Sequence, residues 1–571
     1  MFPGHSIFQK NKFYIPMKLF KITLFAVAMS TVLASCGSGA PIIATPIQNI
    51  DTNPLKITPL VDAQLKHWPA MDLVKDTVPG MSVDKAYSEI IKKRKGETVI
   101  VGVIDSGVDI DHEDLKNVIW TNPGEIAGNG IDDDNNGFID DVHGWNFLGN
   151  ITDENMEYVR IIRKLKPKYE GKDESSISAA DRKEYALYQK AEAEYEKESS
   201  DIIANKTRYG QILSQLKPTH EAMAKKLGKA DYTKEDLAAI KNPSAPEQQQ
   251  IAMLSQMLNY ADTVPEVINE LEDGVKYFDG RLNNNFNMTK DFRGVLGDNP
   301  DDIADNIYGD NNVAGPDPTR ENVKHGTHVS GIIAAQRNNK IGMDGVANNV
   351  KIMPVRAVPD GDEYDKDIAL AIRYAVDNGA KVLNTSFGKY YSPHSDWVYD
   401  AIKYAASKDV LIVNAAGNDG LDLDTVNIYP NDQFDNGSEM ADTFLTVGAL
   451  NFKYGSDMVA NFSNYGKTNV DVFAPGVKIW STTPLNTYEY LQGTSMASPE
   501  VAGVAAMIRS YYPKLSAKQV KQIIMDSGLT TNTDVILSGD TSNTKSFANI
   551  SKSGKMVNLY NALIMADKMS R

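Results

Sequence analysis

The stretch that most constrains this chain is Val501-Ala502-Gly503-Val504-Ala505-Ala506-Met507-Ile508. A helix that is apolar on every side must be buried, so the fold has to be built around it. Just before it stands Gly493-Thr494-Ser495-Met496-Ala497-Ser498-Pro499, which puts a serine at the head of that helix. Unpaired N–H groups and the positive end of the helix dipole favour negative charge developing near the serine oxygen. Gly493 lets a carbonyl approach closely. A hydroxyl alone is a poor nucleophile: it needs a base, and the base needs a group to orient it.

Both lie upstream. Val99-Ile100-Val101-Gly102-Val103-Ile104 is a continuous apolar strand ending in Asp105-Ser106-Gly107, and functional groups commonly sit at the carboxyl ends of parallel strands. His325-Gly326-Thr327-His328-Val329-Ser330-Gly331-Ile332-Ile333-Ala334-Ala335 places a histidine at the head of a helix of small and apolar residues. At these three stretches the chain resembles the subtilisin-like (subtilase) serine peptidases, and the order carboxylate, histidine, serine is the subtilisin order. An α/β-hydrolase would place the serine first, in a G-x-S-x-G turn that Gly-Thr-Ser-Met-Ala is not.

The resemblance implies a serine endopeptidase acting on proteins or peptides, with no catalytic cofactor. It makes Ser495 the nucleophile, His325 the base and Asp105 the group that orients it, and leaves His328 a structural role. Ala415-Ala416-Gly417-Asn418 resembles the stretch in which Asn418 donates to the oxyanion. Ser386-Phe387-Gly388 resembles the segment that pairs with the substrate backbone, and Gly417 the opposite wall of the pocket. A glycine at each wall implies room for a medium to large apolar side chain before the cut. Asp114 and Asn339 match two ligands of a structural Ca2+. Glu500, after Ser498-Pro499, departs from what many members carry and is expected to adjust the local field.

A second calcium site is suggested by Gly128-Asn129-Gly130-Ile131-Asp132-Asp133-Asp134-Asn135-Asn136-Gly137-Phe138-Ile139-Asp140-Asp141. Acids and amides at alternate positions followed by glycine can converge on an ion, with Asp132, Asp134, Asn136 and Asp140 as side-chain ligands. The loop departs from a full EF-hand, since its twelfth position is His143, not an acid. An Asp/Asn turn cluster is the alternative.

The fold class expected is α/β: a subtilisin-like three-layer domain with a mostly parallel central sheet. Alternating strand and helix signals run from Val350 onward, as at 350–358, 367–378, 381–386, 397–407 and 410–414, and such alternation implies a parallel sheet covered on both faces. Over 152–290 that texture stops. The segment is rich in Lys, Glu, Ala, Tyr and Gln with helical spacing, broken by Lys166-Pro167, Lys217-Pro218 and Asn242-Pro243. It reads as a helical insertion in a peptidase domain spanning 67–571, either a substrate-selecting lid or a solvated bundle. No appended C-terminal domain is expected.

Residues 1–36 read as a signal segment. Lysines precede an apolar run, Ile22 to Ala34, that is too short to span a bilayer. It ends in Leu33-Ala34-Ser35-Cys36, which resembles a bacterial lipoprotein signal and implies cleavage before Cys36 and acylation of that residue, palmitate included. The protein is then expected to be exported and lipid-anchored in the bacterial cell envelope, at the outer membrane, facing periplasm or surface. Cys36 is the one cysteine, so no intrachain disulfide can form. Residues 37–66, rich in Pro, Thr, Asn and Gly, read as a tether. A net charge of −16 with no basic stripe argues against nucleic acid as a partner, and a monomer is expected. The reading from another class is a silent subtilase-fold lipoprotein that only binds. An esterase or acyl transferase would use the same chemistry.

Overall fold

The computed structural model describes residues 42–433 and 437–571; the signal segment and Cys36 lie outside them. Seven short, Val/Ile-rich, almost fully buried strands form one sheet: β1 (Val99–Asp105), β2 (Trp145–Asn146), β3 (Val350–Arg356), β4 (Val382–Thr385), β5 (Leu411–Ala415), β6 (Phe444–Leu450) and β7 (Val472–Pro475). Burial on both faces is what a parallel sheet requires. Every pairing is parallel, in the order β2-β3-β1-β4-β5-β6-β7. The chain leaves β1 for one side through β3 and returns to the other side through β4. The carboxyl end of β1 is therefore a topological switch point, where open α/β sheets bind ligands.

Helices line both faces. In chain order they are α1 (Glu157–Tyr169), α2 (Arg182–Leu227), α3 (Ala245–Met257) and α4 (Val264–Gly280), all within the insertion, then α5 (Lys324–Ala334), α6 (Asp365–Asp377), α7 (Ser395–Ser407), α8 (Thr494–Tyr511), α9 (Ala517–Ser527) and α10 (Leu559–Met569). Alternate β1 residues point to opposite sides. Val101 and Val103 join a core with α5, α8, α9 and α10, and Ile104 joins a second core with α6 and α7. The all-apolar stretch 501–508 is indeed buried along its whole length, as the inner helix α8.

The 152–290 segment is helical. Helices α1 and α2 share a cluster with Tyr391 of the sheet domain, through Tyr158, Ile162 and Tyr188 among others. A separate cluster around Leu216, Met223, Tyr232 and Leu254 fills the far end. With 46 residues, α2 is roughly 69 Å long at 1.5 Å per residue. Two of the expected breaks do not occur: α1 runs through Pro167 and α2 through Pro218. A proline costs a helix one internal hydrogen bond, which the neighbouring turns and the packed face outweigh here. The base is pinned by buried ion pairs: Lys389 to Glu157 (2.7 Å) and Asp365 (3.0 Å), and Arg293 between Asp298 and Asp367 (2.8 Å each).

The start of the described chain is not a free tether. Ile42 N–H donates to Asp567, Ile47 exchanges two hydrogen bonds with Asn561, and Ile50 is buried in the main core. No helix among the described residues is long and apolar enough to cross a membrane.

Candidate active site

Asp105 is the last residue of β1 and is buried. Its Oδ1 accepts the Ser106 N–H at 2.7 Å and faces His325 Nδ1 at 2.7 Å. With a carboxylate on Nδ1, the proton sits there and Nε2 is left to accept. His325 reaches Asp105 because α5 comes very close to the end of β1. A Cβ on the next residue, Gly326, would lie 2.1 Å from the Gly107 carbonyl. The His325 side chain is 39% exposed, so one ring edge faces the cleft. Burial alone lowers its pKa, but the charge and hydrogen bond of Asp105 outweigh that and raise it.

Ser495 meets this pair through β4. Ile104 is in register with Thr385, so Ser386 emerges one strand spacing, about 4.8 Å, from Asp105. Ser386 and Ser495 exchange two hydrogen bonds. Ser495 Oγ donates to the Ser386 carbonyl at 3.0 Å, and Ser386 Oγ donates to the Ser495 carbonyl at 2.9 Å. The second has a covalent cause. Pro499 has no N–H to answer the carbonyl four residues before it, and Ser386 takes that place. The backbone of Ser495, the predicted nucleophile, is thus tied to the segment predicted to hold substrate. Its hydroxyl comes off Ser386 by rotation about one bond.

Asn418 follows β5, the strand beside β4. Its Oδ1 accepts from the Thr494 N–H at 2.8 Å and from Thr494 Oγ1 at 3.0 Å. A backbone N–H can only donate, so the oxygen faces Thr494 and the NH2 is turned outward. The amide nitrogen borders Gly493, beside the Ser495 N–H. Two donors then face one spot at a helix head, which suits a developing oxyanion.

The predicted walls are brought together, and Ile428 lies beside both. Gly417 has φ +97°, and a Cβ there would meet Ile428 Cδ1 at 2.9 Å; one on Gly388 would meet the same Cδ1 at 3.1 Å. One methyl group thus lies close to both glycines, and Asn464 Nδ2, at 2.5 Å from the Gly417 Cβ position, borders the same wall. Nothing in the sequence of 386–388 or 415–418 themselves signals Ile428, which arrives from the loop that follows Asn418.

The predicted metal ligands fall into two places. Asp114 and Asn339 are in contact, Asn339 Nδ2 donating to Asp114 Oδ1 at 2.5 Å. In the Asp-rich loop, Asp134 converges with Glu125 and Asp141, their ligand oxygens within 4.8 Å of one another. Asn136 Nδ2 donates to Asp134 and Asp141. The other two predicted ligands are used differently. Asp132 accepts the N–H groups of Asn136 and Gly137, and Asp140 those of Gly128, Asn129 and Gly130. Sequence reasoning missed Glu125 and Asp141; Asp140 occupied the loop position expected of a ligand and hid its neighbour. Among the described residues the three acids have no lysine or arginine ion pair, and Glu125 Oε2 is buried without a partner. Burial, with the Asp134 charge adding to it, pushes Asp141 up to about 6. Gathered, un-neutralised carboxylates are the donor set of a hard cation.

His328 is fully buried, with Nε2 facing the carbonyls of Ile479 (3.1 Å) and Glu489 (3.2 Å). That nitrogen must carry the proton, and burial pushes the pKa down to about 3, so His328 is a neutral strut. Glu500 is 3% exposed, and burial raises its pKa well above the usual carboxylate value.

A family model described as the subtilase family matches residues 96–549. The chain is 44% identical over 210 residues to a thermophilic serine proteinase of Bacillus sp. (strain AK1), covering 37% of this chain and 46% of that one. It is 38% identical over 219 residues to thermitase of Thermoactinomyces vulgaris, covering 38% and 72%. A solved protease structure from Pseudoalteromonas arctica aligns with a TM-score of 0.34 at 32% identity, covering 42% of this chain and 70% of that one. The match thus spans less than half the length of the first of these relatives and nearly three quarters of the second. Matched by that family model over most of its length, the chain belongs to the subtilase family.

Proposed function

We propose that this protein is a serine endopeptidase that hydrolyses peptide bonds in proteins through an acyl-enzyme. The observation that carries this reading is the 2.7 Å contact of His325 Nδ1 with buried Asp105, beside the strand whose following residue, Ser386, is hydrogen-bonded to Ser495. Ser495 Oγ attacks the scissile carbonyl and its proton passes to His325 Nε2. The imidazolium formed is stabilised by Asp105 and returns the proton to the leaving amine. Water then repeats the sequence on the ester. The oxyanion is received by the Ser495 N–H and Asn418 Nδ2. Labelling of the protein by a fluorophosphonate, lost in Ser495→Ala, tests the reading against a silent binding module. Comparing amide with ester hydrolysis tests it against an esterase.

Two results follow from this geometry. Asn418→Ala is expected to lower kcat by roughly 10²–10³-fold, the magnitude known for the corresponding donor of subtilisin, with KM little changed. An unchanged kcat would remove Asn418 from the oxyanion site. The base must be neutral to accept a proton, so activity rises as pH rises through the His325 pKa. Because Asp105 raises that pKa above the ordinary histidine value of 6.5, the acidic limb of kcat/KM is expected above pH 6.5. A limb below pH 6 would contradict the pairing.

The family reading also implies structural calcium. Glu125, Asp134 and Asp141, with Asn136 beside them, are the residues that would hold one ion, and Asp114 and Asn339 another. An ion bound only by the folded state stabilises it by roughly 2.7 kcal/mol at a hundred times its Kd. Chelation is therefore expected to lower Tm by several degrees in calorimetry, and Asp134→Ala to shrink that response. A Tm indifferent to chelator would sink the calcium assignment.

The resemblance of Leu33-Ala34-Ser35-Cys36 to a lipoprotein signal supports export and anchoring in the bacterial cell envelope through acylated Cys36. Membrane fractionation of the full chain against Cys36→Ser tests this. Release of the variant is the expected outcome, and equal partition of the two would refute it.

A further inference from the structure

Resting on the peptidase reading, we propose that Ile428 closes the primary specificity pocket, so that the enzyme cuts after small residues. The acyl group is held with its carbonyl oxygen toward Ser495 N–H and Asn418 Nδ2. The side chain before the cut must then enter between the two segments that extend β4 and β5, Ser386-Phe387-Gly388 and Ala416-Gly417. Both walls are glycine where a Cβ would point inward, and both of those Cβ positions lie within 3.1 Å of one atom, Ile428 Cδ1. The width gained from two glycines is taken back by one methyl group.

Ile428 cannot simply swing away. Its side chain is 7% exposed and belongs to the main core. Its backbone and that of its neighbour are held. Asn431 Nδ2 donates to the Ile428 carbonyl at 2.6 Å. The next residue, Tyr429, exchanges two hydrogen bonds with Lys389, the residue after Gly388, at 2.8 and 2.9 Å. Lys389 is in turn fixed by its buried pairs with Glu157 and Asp365. The floor is therefore coupled to the wall it touches, and through Glu157 to the base of the insertion. Close-packed interiors resist added volume, so a phenylalanine or leucine could enter only by displacing this assembly. An alanine, glycine or serine needs no such movement.

The test is kcat/KM on a panel of quenched-fluorescence peptides that differ only in the residue before the cut, with fluorophosphonate labelling of Ser495 as a parallel measure of a competent site. The wild type is expected to favour alanine, glycine or serine over leucine, tyrosine or phenylalanine by about tenfold or more, the scale on which a pocket rejects an oversized group. Ile428→Val removes the very atom that spans the walls and should shrink the ratio; Ile428→Gly should shrink it further, toward or past unity. If the glycine variant does not fold, the valine variant and the wild-type preference still decide. Normal labelling with phenylalanine or leucine preferred by the wild type would overturn this assignment alone. So would a ratio unmoved in Ile428→Val. Absence of both labelling and cleavage would overturn the peptidase reading, and this assignment with it.

Discussion

Replacing Ser495 with alanine is expected to lower kcat by about 10⁶-fold, a magnitude known from subtilisin and carried over to this chain. The size follows from how the site divides its work. In the mechanism proposed, His325 and Asp105 serve only to take and hold the Ser495 proton, so without the hydroxyl they have nothing to act on. What survives is the pull of the Ser495 N–H and Asn418 on the substrate carbonyl, worth about 10³–10⁴ over water. The substitution should leave the fold intact. The hydroxyl makes one hydrogen bond, to the Ser386 carbonyl, and such a bond contributes about 1 kcal/mol. The bond that fixes the helix head, Ser386 Oγ to the Ser495 carbonyl, involves no Ser495 side-chain atom. Steady-state turnover on a peptide substrate, with circular dichroism to confirm folding, checks this. A folded Ser495→Ala protein that keeps a tenth of the activity would mean that another group does the chemistry.

Asp105→Asn should follow at about 10⁴-fold in kcat. Its Oδ1 serves two donors at once, His325 Nδ1 and the Ser106 N–H. An amide cannot replace it by either choice of orientation. With NH2 toward His325, the ring must accept at Nδ1 and protonate Nε2, the atom that has to receive the serine proton. With oxygen toward His325, the NH2 falls at the position of Oδ2, which is buried and has no partner among the described residues, and the charge that stabilises the imidazolium is gone either way. The same loss removes what raises the His325 pKa. Residual activity should therefore show its acidic limb at lower pH than the wild type. A drop in kcat without that displacement would mean that Asp105 positions other groups and does not act through His325.

The motifs of this chain pointed to the family because each packs a backbone requirement and a functional group into a few consecutive residues. Gly493 to Pro499 carries a close approach, a nucleophile and an orphaned carbonyl in seven positions, and the apolar run behind it could be nothing but an inner helix. Features assembled from distant segments were not legible. Ile428 meets Gly388 and Gly417 from a loop that has no motif of its own. Glu125 and Asp141 become neighbours of Asp134 only once the loop closes on itself. The buried pairs of Lys389 and Arg293 look in the sequence like any other surface charges. Residues 37–66 read as a tether because they are rich in Pro, Thr, Asn and Gly, and the backbone N–H groups of Ile42 and Ile47 find Asp567 and Asn561, more than 500 residues later.

That last contact has a practical consequence for anyone cutting the gene. A version trimmed to begin just ahead of Ile42 keeps its belt fastened to the final helix. One trimmed to begin at His67, where the peptidase proper was expected to start, strips the cover from the pit that Ile50 fills and from the side chains of Asn561 and Asp567. The shorter product should melt earlier and clump more readily, although every residue of its working centre is still encoded.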